Sequence, residues 1–127
     1  MTLAAVALVA LGAAVGAPVR FLVDRAVQAR HDSGFPWGTM AVNVAGSLLL
    51  GVLAGGLAAG ALSAGVGTLI GVGFCGTLTT YSTFGYETVR LFEDGSRFYA
   101  ISNAAMTLFA GLGAAFFGWA IAQALWR

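Results

Sequence analysis

Gly73-Phe74-Cys75-Gly76-Thr77-Leu78-Thr79-Thr80-Tyr81-Ser82-Thr83-Phe84-Gly85-Tyr86 crowds glycine and threonine, both poor helix formers, into an uncharged segment. Thr and Ser hydroxyls compete for backbone hydrogen bonds, so an interruption of any helix is expected here. The segment lies within residues 33–86, which contain no Asp, Glu, Lys or Arg. A bilayer crossing needs roughly 20 apolar residues. Residues 33–86 therefore hold two crossings joined by a turn near residues 59–65, and the Gly/Thr segment falls near the middle of the second. Backbone freed at that depth survives only when buried in protein or lining a watery cavity. Its carbonyls then become available to a small cation, as in the unwound helices of transporters. The plainer alternative is a kink healed by Ser and Thr bonding back to the helix.

Working outward, residues 3–19 and 98–126 are also free of charge and supply one crossing each. The expected elements are a first helix over 3–28, a polar loop over 29–35, and a second helix over 37–58 behind Pro36. Pro is tolerated at a helix start because the first N–H groups lack intrahelical partners anyway. A third helix is expected over 66–92, a turn at Asp94-Gly95-Ser96, and a fourth helix over 97–125. Trp37 and Trp126-Arg127 suit the headgroup level. The chain thus reads as one all-α integral membrane domain over residues 1–127, with four transmembrane helices and the third broken near its centre.

Composition agrees. Of 127 residues, 59% are apolar and 9% charged, against roughly 25% charged in soluble domains. Mean hydropathy is +0.89. A net charge of +1 gives no reason to expect a nucleic-acid partner. The lone Cys75 excludes an internal disulfide and reads as a small packing residue. The first apolar run lacks a basic start and is followed by more spans, which argues against a removed signal. Small residues recur every fourth position at Ser47, Gly51 and Gly55, and at Gly67 and Gly71. Such faces let membrane helices approach closely. Arg25, Arg30, Arg90 and Arg97 flank one side of the spans and Arg127 the other, so the first and third loops are expected in the cytoplasm.

The polar residues inside the spans are the candidate site. Thr39, Asn43 and Ser47 share one face of the second helix, and Tyr99, Asn103 and Thr107 share one face of the fourth. They are either interhelical glue or a track of neutral donors that contact an anion without trapping it. Tyr81 and Phe84 lie one turn apart; they are core residues, or rings whose electropositive edges face an anion. Arg20 pairs with Asp24 or forms an electropositive mouth; Glu87 faces a vestibule or marks a helix end. No carboxylate lies deep in a span. The sequence also offers no nucleophile–base pair, no Cys/His metal cluster and no phosphate-cradling loop, so no enzyme activity is expected.

Three motifs in order now carry a resemblance: Gly12-Ala13-Ala14-Val15-Gly16-Ala17-Pro18-Val19-Arg20-Phe21; Pro36-Trp37-Gly38-Thr39 with Val42-Asn43 and Gly46-Ser47; and Gly73-Phe74-Cys75-Gly76 with Thr79-Thr80-Tyr81-Ser82-Thr83-Phe84. Together they resemble the Fluc (CrcB) fluoride channels over essentially the whole chain. The resemblance implies an antiparallel, dual-topology dimer in the cell inner membrane with two fluoride pathways. It implies a central sodium ion on the backbone carbonyls of Gly76 and Thr79. Asn43 matches the pore asparagine, and Tyr81 and Phe84 match two pathway phenylalanines. Tyr99, Asn103 and Thr107 match a polar track. Thr39, Ser82, Thr83 and Glu87 match pore or vestibule positions. Two departures stand out: Tyr replaces the usual Phe at 81, and Asn103 and Thr107 stand where Ser is common. The Arg asymmetry leaves both a homodimer and a heterodimer with a paralogue open. The implied function is passive, fluoride-selective export that relieves fluoride toxicity. The rivals are a small multidrug transporter, which would need an embedded carboxylate in its first helix, and a structural membrane protein without transport.

Overall fold

The computed structural model describes residues 2–32 and 34–126; Arg127, expected at the membrane interface, lies outside them. The described residues are all helical or loop, without strands. Helix α1 spans Leu3–Gln28, α2 spans Trp37–Ala58, α3 covers residues 64–78, α4 spans Ser82–Glu93 and α5 spans Arg97–Leu125. The limits of α1, α2 and α5 coincide with those expected. Among the described residues three helices are long and apolar enough to cross a membrane: α1, α2 and α5, with mean hydropathies of 2.1, 1.8 and 1.7.

The third helical region starts earlier than expected, because the Ser63 hydroxyl accepts from Val66 N–H at 3.3 Å and caps the helix at Ala64. It is unevenly wound. Gly67–Cys75 forms a π-helix, with one α-turn on either side at Ala64–Val66 and Gly76–Leu78. Helical structure stops at Leu78, where Thr79 is extended (φ −83°, ψ 160°), and resumes at Ser82. The turns before and after this region use Gly60 (φ +74°) and Gly95 (φ +86°), a left-handed conformation that glycine adopts without a Cβ penalty.

Close backbone contact assembles the bundle along two seams. In one, α1 lies on the π-wound segment: a Cβ on Gly12 would run into the Leu69 carbonyl, and one on Gly73 would meet the Val9 carbonyl at 2.8 Å. In the other, α2 lies on α5: a Cβ on Gly51 would strike the Ala115 carbonyl, and one on Gly118 the Leu48 carbonyl. Lipid tails compete with apolar side chains, so such small-residue contacts are what hold membrane helices together. Of the two small-residue rows read from sequence, the α2 row makes this approach; Gly67 and Gly71 meet only leucine side chains.

Gly51→Val is accordingly expected to destabilise the fold by about 1–3 kcal/mol, the usual cost of overpacking. Thermal denaturation in detergent would report it. The control is Gly113→Ala, where an added methyl meets nothing within 4 Å.

Candidate functional site

The interruption at residues 79–81 is held by one side chain of α2. Asn43 Nδ2 donates to the Thr80 carbonyl at 3.0 Å, and Asn43 Oδ1 accepts from Thr80 N–H at 2.8 Å. A side-chain amide can satisfy a peptide's donor and acceptor at once. Because Thr80 N–H turns to Asn43, it does not bond the Gly76 carbonyl, its partner in an unbroken helix. Among the described residues no backbone N–H reaches the carbonyls of Gly76 or Thr79. The hydroxyls stay local. Thr79 Oγ1 donates to the Cys75 carbonyl at 2.9 Å, and Thr77 Oγ1 to the Gly73 carbonyl at 2.9 Å. Thr80 Oγ1 accepts from Thr83 N–H at 3.2 Å, capping the start of α4, and donates to Thr83 Oγ1 at 3.2 Å. Ser82 is exposed, with its hydroxyl 3.5 Å from that of Thr80.

Cavities flank the interruption. A groove of about 450 Å³ is lined by Asn43, Ser47, Thr79, Thr80, Tyr81, Phe84 and Thr107. Leu50, Leu108, Leu112 and Ala115 form its apolar wall. The Tyr81 and Phe84 rings stand 6.3 Å apart, tilted by 48°. Tyr81 is 86% exposed, so its ring is presented rather than packed in a core. A smaller pocket of about 180 Å³ holds Arg20, Asp24, Thr39, Thr80 and Thr83. Thr80 thus borders both. A third cavity, about 420 Å³, gathers Asp24, Arg25, Gln28, Glu87 and Arg90.

The structure draws together residues far apart in sequence. Buried Thr39, 3% exposed, donates to Glu87 Oε1 at 2.6 Å. Ser47 donates back to the Asn43 carbonyl at 2.8 Å. Asn103, 1% exposed, donates to Thr88 Oγ1 at 2.8 Å and accepts from Thr107 Oγ1 at 3.3 Å. The two polar stripes of α2 and α5 therefore do not bond each other; each reaches the third helical region instead. Tyr99 stands apart from this network, edge-on to Phe35 at 5.8 Å. No Arg20–Asp24 ion pair forms; among the described residues the one ion pair is Arg90–Asp94 at 3.9 Å, both side chains exposed.

Sequence reasoning missed two residues. Thr88 joins Asn103 to α4; its spacing of four from Phe84 was the available signal. Gln28 ties the first loop to α2, donating to the Phe35 carbonyl at 3.0 Å and accepting from Gly38 N–H at 3.1 Å.

An interrupted helix, a mostly apolar groove beside it that carries a few uncharged polar groups, and long apolar helices define a class: multi-pass helical membrane proteins with uncharged hydrogen-bonding groups at a break in the backbone. The chain belongs to the CrcB family, whose model, CrcB-like protein, Camphor Resistance (CrcB), matches residues 7–119. A protein of Streptomyces avermitilis named "Fluoride-specific ion channel FluC 1" is 59% identical, over 94% of this chain and 96% of its own length. A protein of the same name from Frankia casuarinae is 56% identical, over 94% and 96%. Another, from Thermobifida fusca, is 51% identical, over 89% and 91%. The family read from the three motifs is thereby borne out.

Proposed function

We propose that the protein is a passive, fluoride-selective channel of the cell inner membrane that lets fluoride leave the cytoplasm and so relieves its toxicity. The observation that carries this reading is the shared groove of Asn43, Ser47, Tyr81, Phe84 and Thr107, in a chain whose relatives are named fluoride-specific channels. Hydrogen fluoride enters cells in acid and dissociates inside. A pathway then lets the trapped anion run down its gradient. Hydroxyls, an amide and ring edges replace part of the anion's water shell without the grip of a full charge, which suits entry and exit alike. Asn43 keeps one amide hydrogen beyond the one that it spends on Thr80. Arg20, beside Thr39 and Thr83, supplies positive potential that draws anions in.

We further propose that the interruption is the break of a fourth, discontinuous membrane span, formed by α3 and α4. Two copies pack antiparallel within membrane lipid, each bordering two pathways. A homodimer is the simpler case; the Arg asymmetry fits a heterodimer with a paralogue. The carbonyls of Gly76 and Thr79, unpartnered along the backbone, and the open space beside Gly76 fit a hard cation such as sodium at the centre of that dimer. Bound there, it would supply a fixed positive charge and occupy carbonyls that lipid cannot satisfy.

The test is efflux from liposomes loaded separately with fluoride and chloride. Fluoride alone should leave. Equal loss of both anions would defeat selectivity, and no loss of either would favour a structural role.

A further inference from the structure

The bonds of Asn103 run in one direction. Thr107 Oγ1 donates to Asn103 Oδ1, Asn103 Nδ2 donates to Thr88 Oγ1, and Thr88 Oγ1 donates to the Phe84 carbonyl at 2.8 Å. A hydroxyl has one proton, and Thr88 spends it on Phe84, leaving lone pairs to accept from Asn103. Asn103 is 1% exposed, against 86% for Tyr81. Each end of its amide makes one bond within the chain itself, and, unlike Asn43, it does not line the groove that holds Phe84.

Helix α4 is a short helix, cut off from α3 by the interruption. Two side-chain bonds from neighbouring helices hold it: Thr39 of α2 on Glu87, and Asn103 of α5 on Thr88. Thr88 is one turn beyond Phe84, on the same face. A roll of α4 about its axis would swing the Phe84 ring along the groove wall. The Thr88–Asn103 bond opposes that roll at the turn that carries the ring.

We infer that Asn103 and Thr88 are positioning residues that set the orientation of the Phe84 ring, and that Asn103 acts through Thr88 rather than by touching the anion. This rests on the channel reading above. It separates cleanly from direct contact by Asn103, because Thr88 would then be dispensable.

The experiment is fluoride and chloride efflux from liposomes for the full chain and four variants. Wild-type protein comes first: without fluoride efflux, the channel reading itself fails. Given that efflux, Thr88→Val, which keeps the shape and removes the hydroxyl, should lower the fluoride-to-chloride ratio by about threefold to about twentyfold, the span that one interhelical membrane hydrogen bond permits. Thr88→Ser should restore it. Asn103→Leu should lower it similarly, and the double variant Thr88→Val/Asn103→Leu should be no worse than either single, as expected for two partners in one bond. Wild-type selectivity in Thr88→Val, or multiplied losses in the double variant, would overturn the inference. Should Thr88→Val fail to yield folded protein, 4-fluorophenylalanine at position 84 read by fluorine NMR decides between Thr88→Ser and Thr88→Ala. One narrow resonance with Ser and a broadened or split one with Ala is expected; identical spectra would overturn the inference.

Discussion

Phe84→Ile is expected to slow fluoride efflux by about tenfold to about a hundredfold, the loss that follows when a charged partner forfeits one favourable polar contact. Phe84 sits on the groove beside Asn43, Thr80 and Thr107. Its ring edge carries partial positive charge, which an aliphatic side chain of similar bulk lacks. The substitution keeps the volume nearly constant and leaves the backbone bonds of α4 untouched, so the folded and associated state should persist. Size-exclusion chromatography beside the liposome assay separates the two effects. Unchanged flux with an unchanged elution volume would remove Phe84 from the pathway. Tyr81→Phe tests the neighbouring ring: it keeps the edge and deletes a hydroxyl, so a small change in rate is expected where Phe84→Ile gives a large one.

Asn43→Leu should damage both fold and flux. The Thr80 N–H and carbonyl each have their partner on Asn43. A buried polar group left unpaired costs about 1–3 kcal/mol, so the pair places the loss at roughly 2–6 kcal/mol. Around the freed Thr80 N–H, the chain's cheapest escape is to close the helix onto the Gly76 carbonyl. That would heal the interruption, remove one carbonyl from the proposed cation site and rotate Tyr81 and Phe84 away from the groove. A lower melting temperature in detergent together with lost fluoride efflux is the expected result. Asn43→Asp offers a finer cut. Protonated, its carboxyl keeps an acceptor for Thr80 N–H and an O–H donor for the Thr80 carbonyl; ionised, it only accepts and adds negative charge beside the anion's path. It should therefore melt above Asn43→Leu at a pH that protonates the carboxyl, yet still conduct poorly when ionised. A melting temperature and flux equal to wild type in Asn43→Leu would show that the paired bonds do not hold the interruption.

Residue order alone was enough to place α1, α2 and α5, because a bilayer fixes the length of an apolar run and charges mark its ends. Those cues depend on composition along the chain and not on partners. They also showed where the third helical region carries residues at odds with a helix, though its start at Ala64 depended on the Ser63 cap. Helical spacing likewise put Thr39, Asn43 and Ser47 on one face, and Tyr99, Asn103 and Thr107 on another. Spacing cannot say what a face meets, since the roll of each helix is set by contacts with distant segments. Packing in three dimensions made that choice: it sent Thr39 to Glu87, Asn43 to the Thr80 backbone and Asn103 to Thr88, and left Tyr99 against Phe35. A buried amide in a membrane must find a partner; which one it finds depends on where glycine seams such as Gly12–Gly73 and Gly51–Gly118 let the helices come to rest.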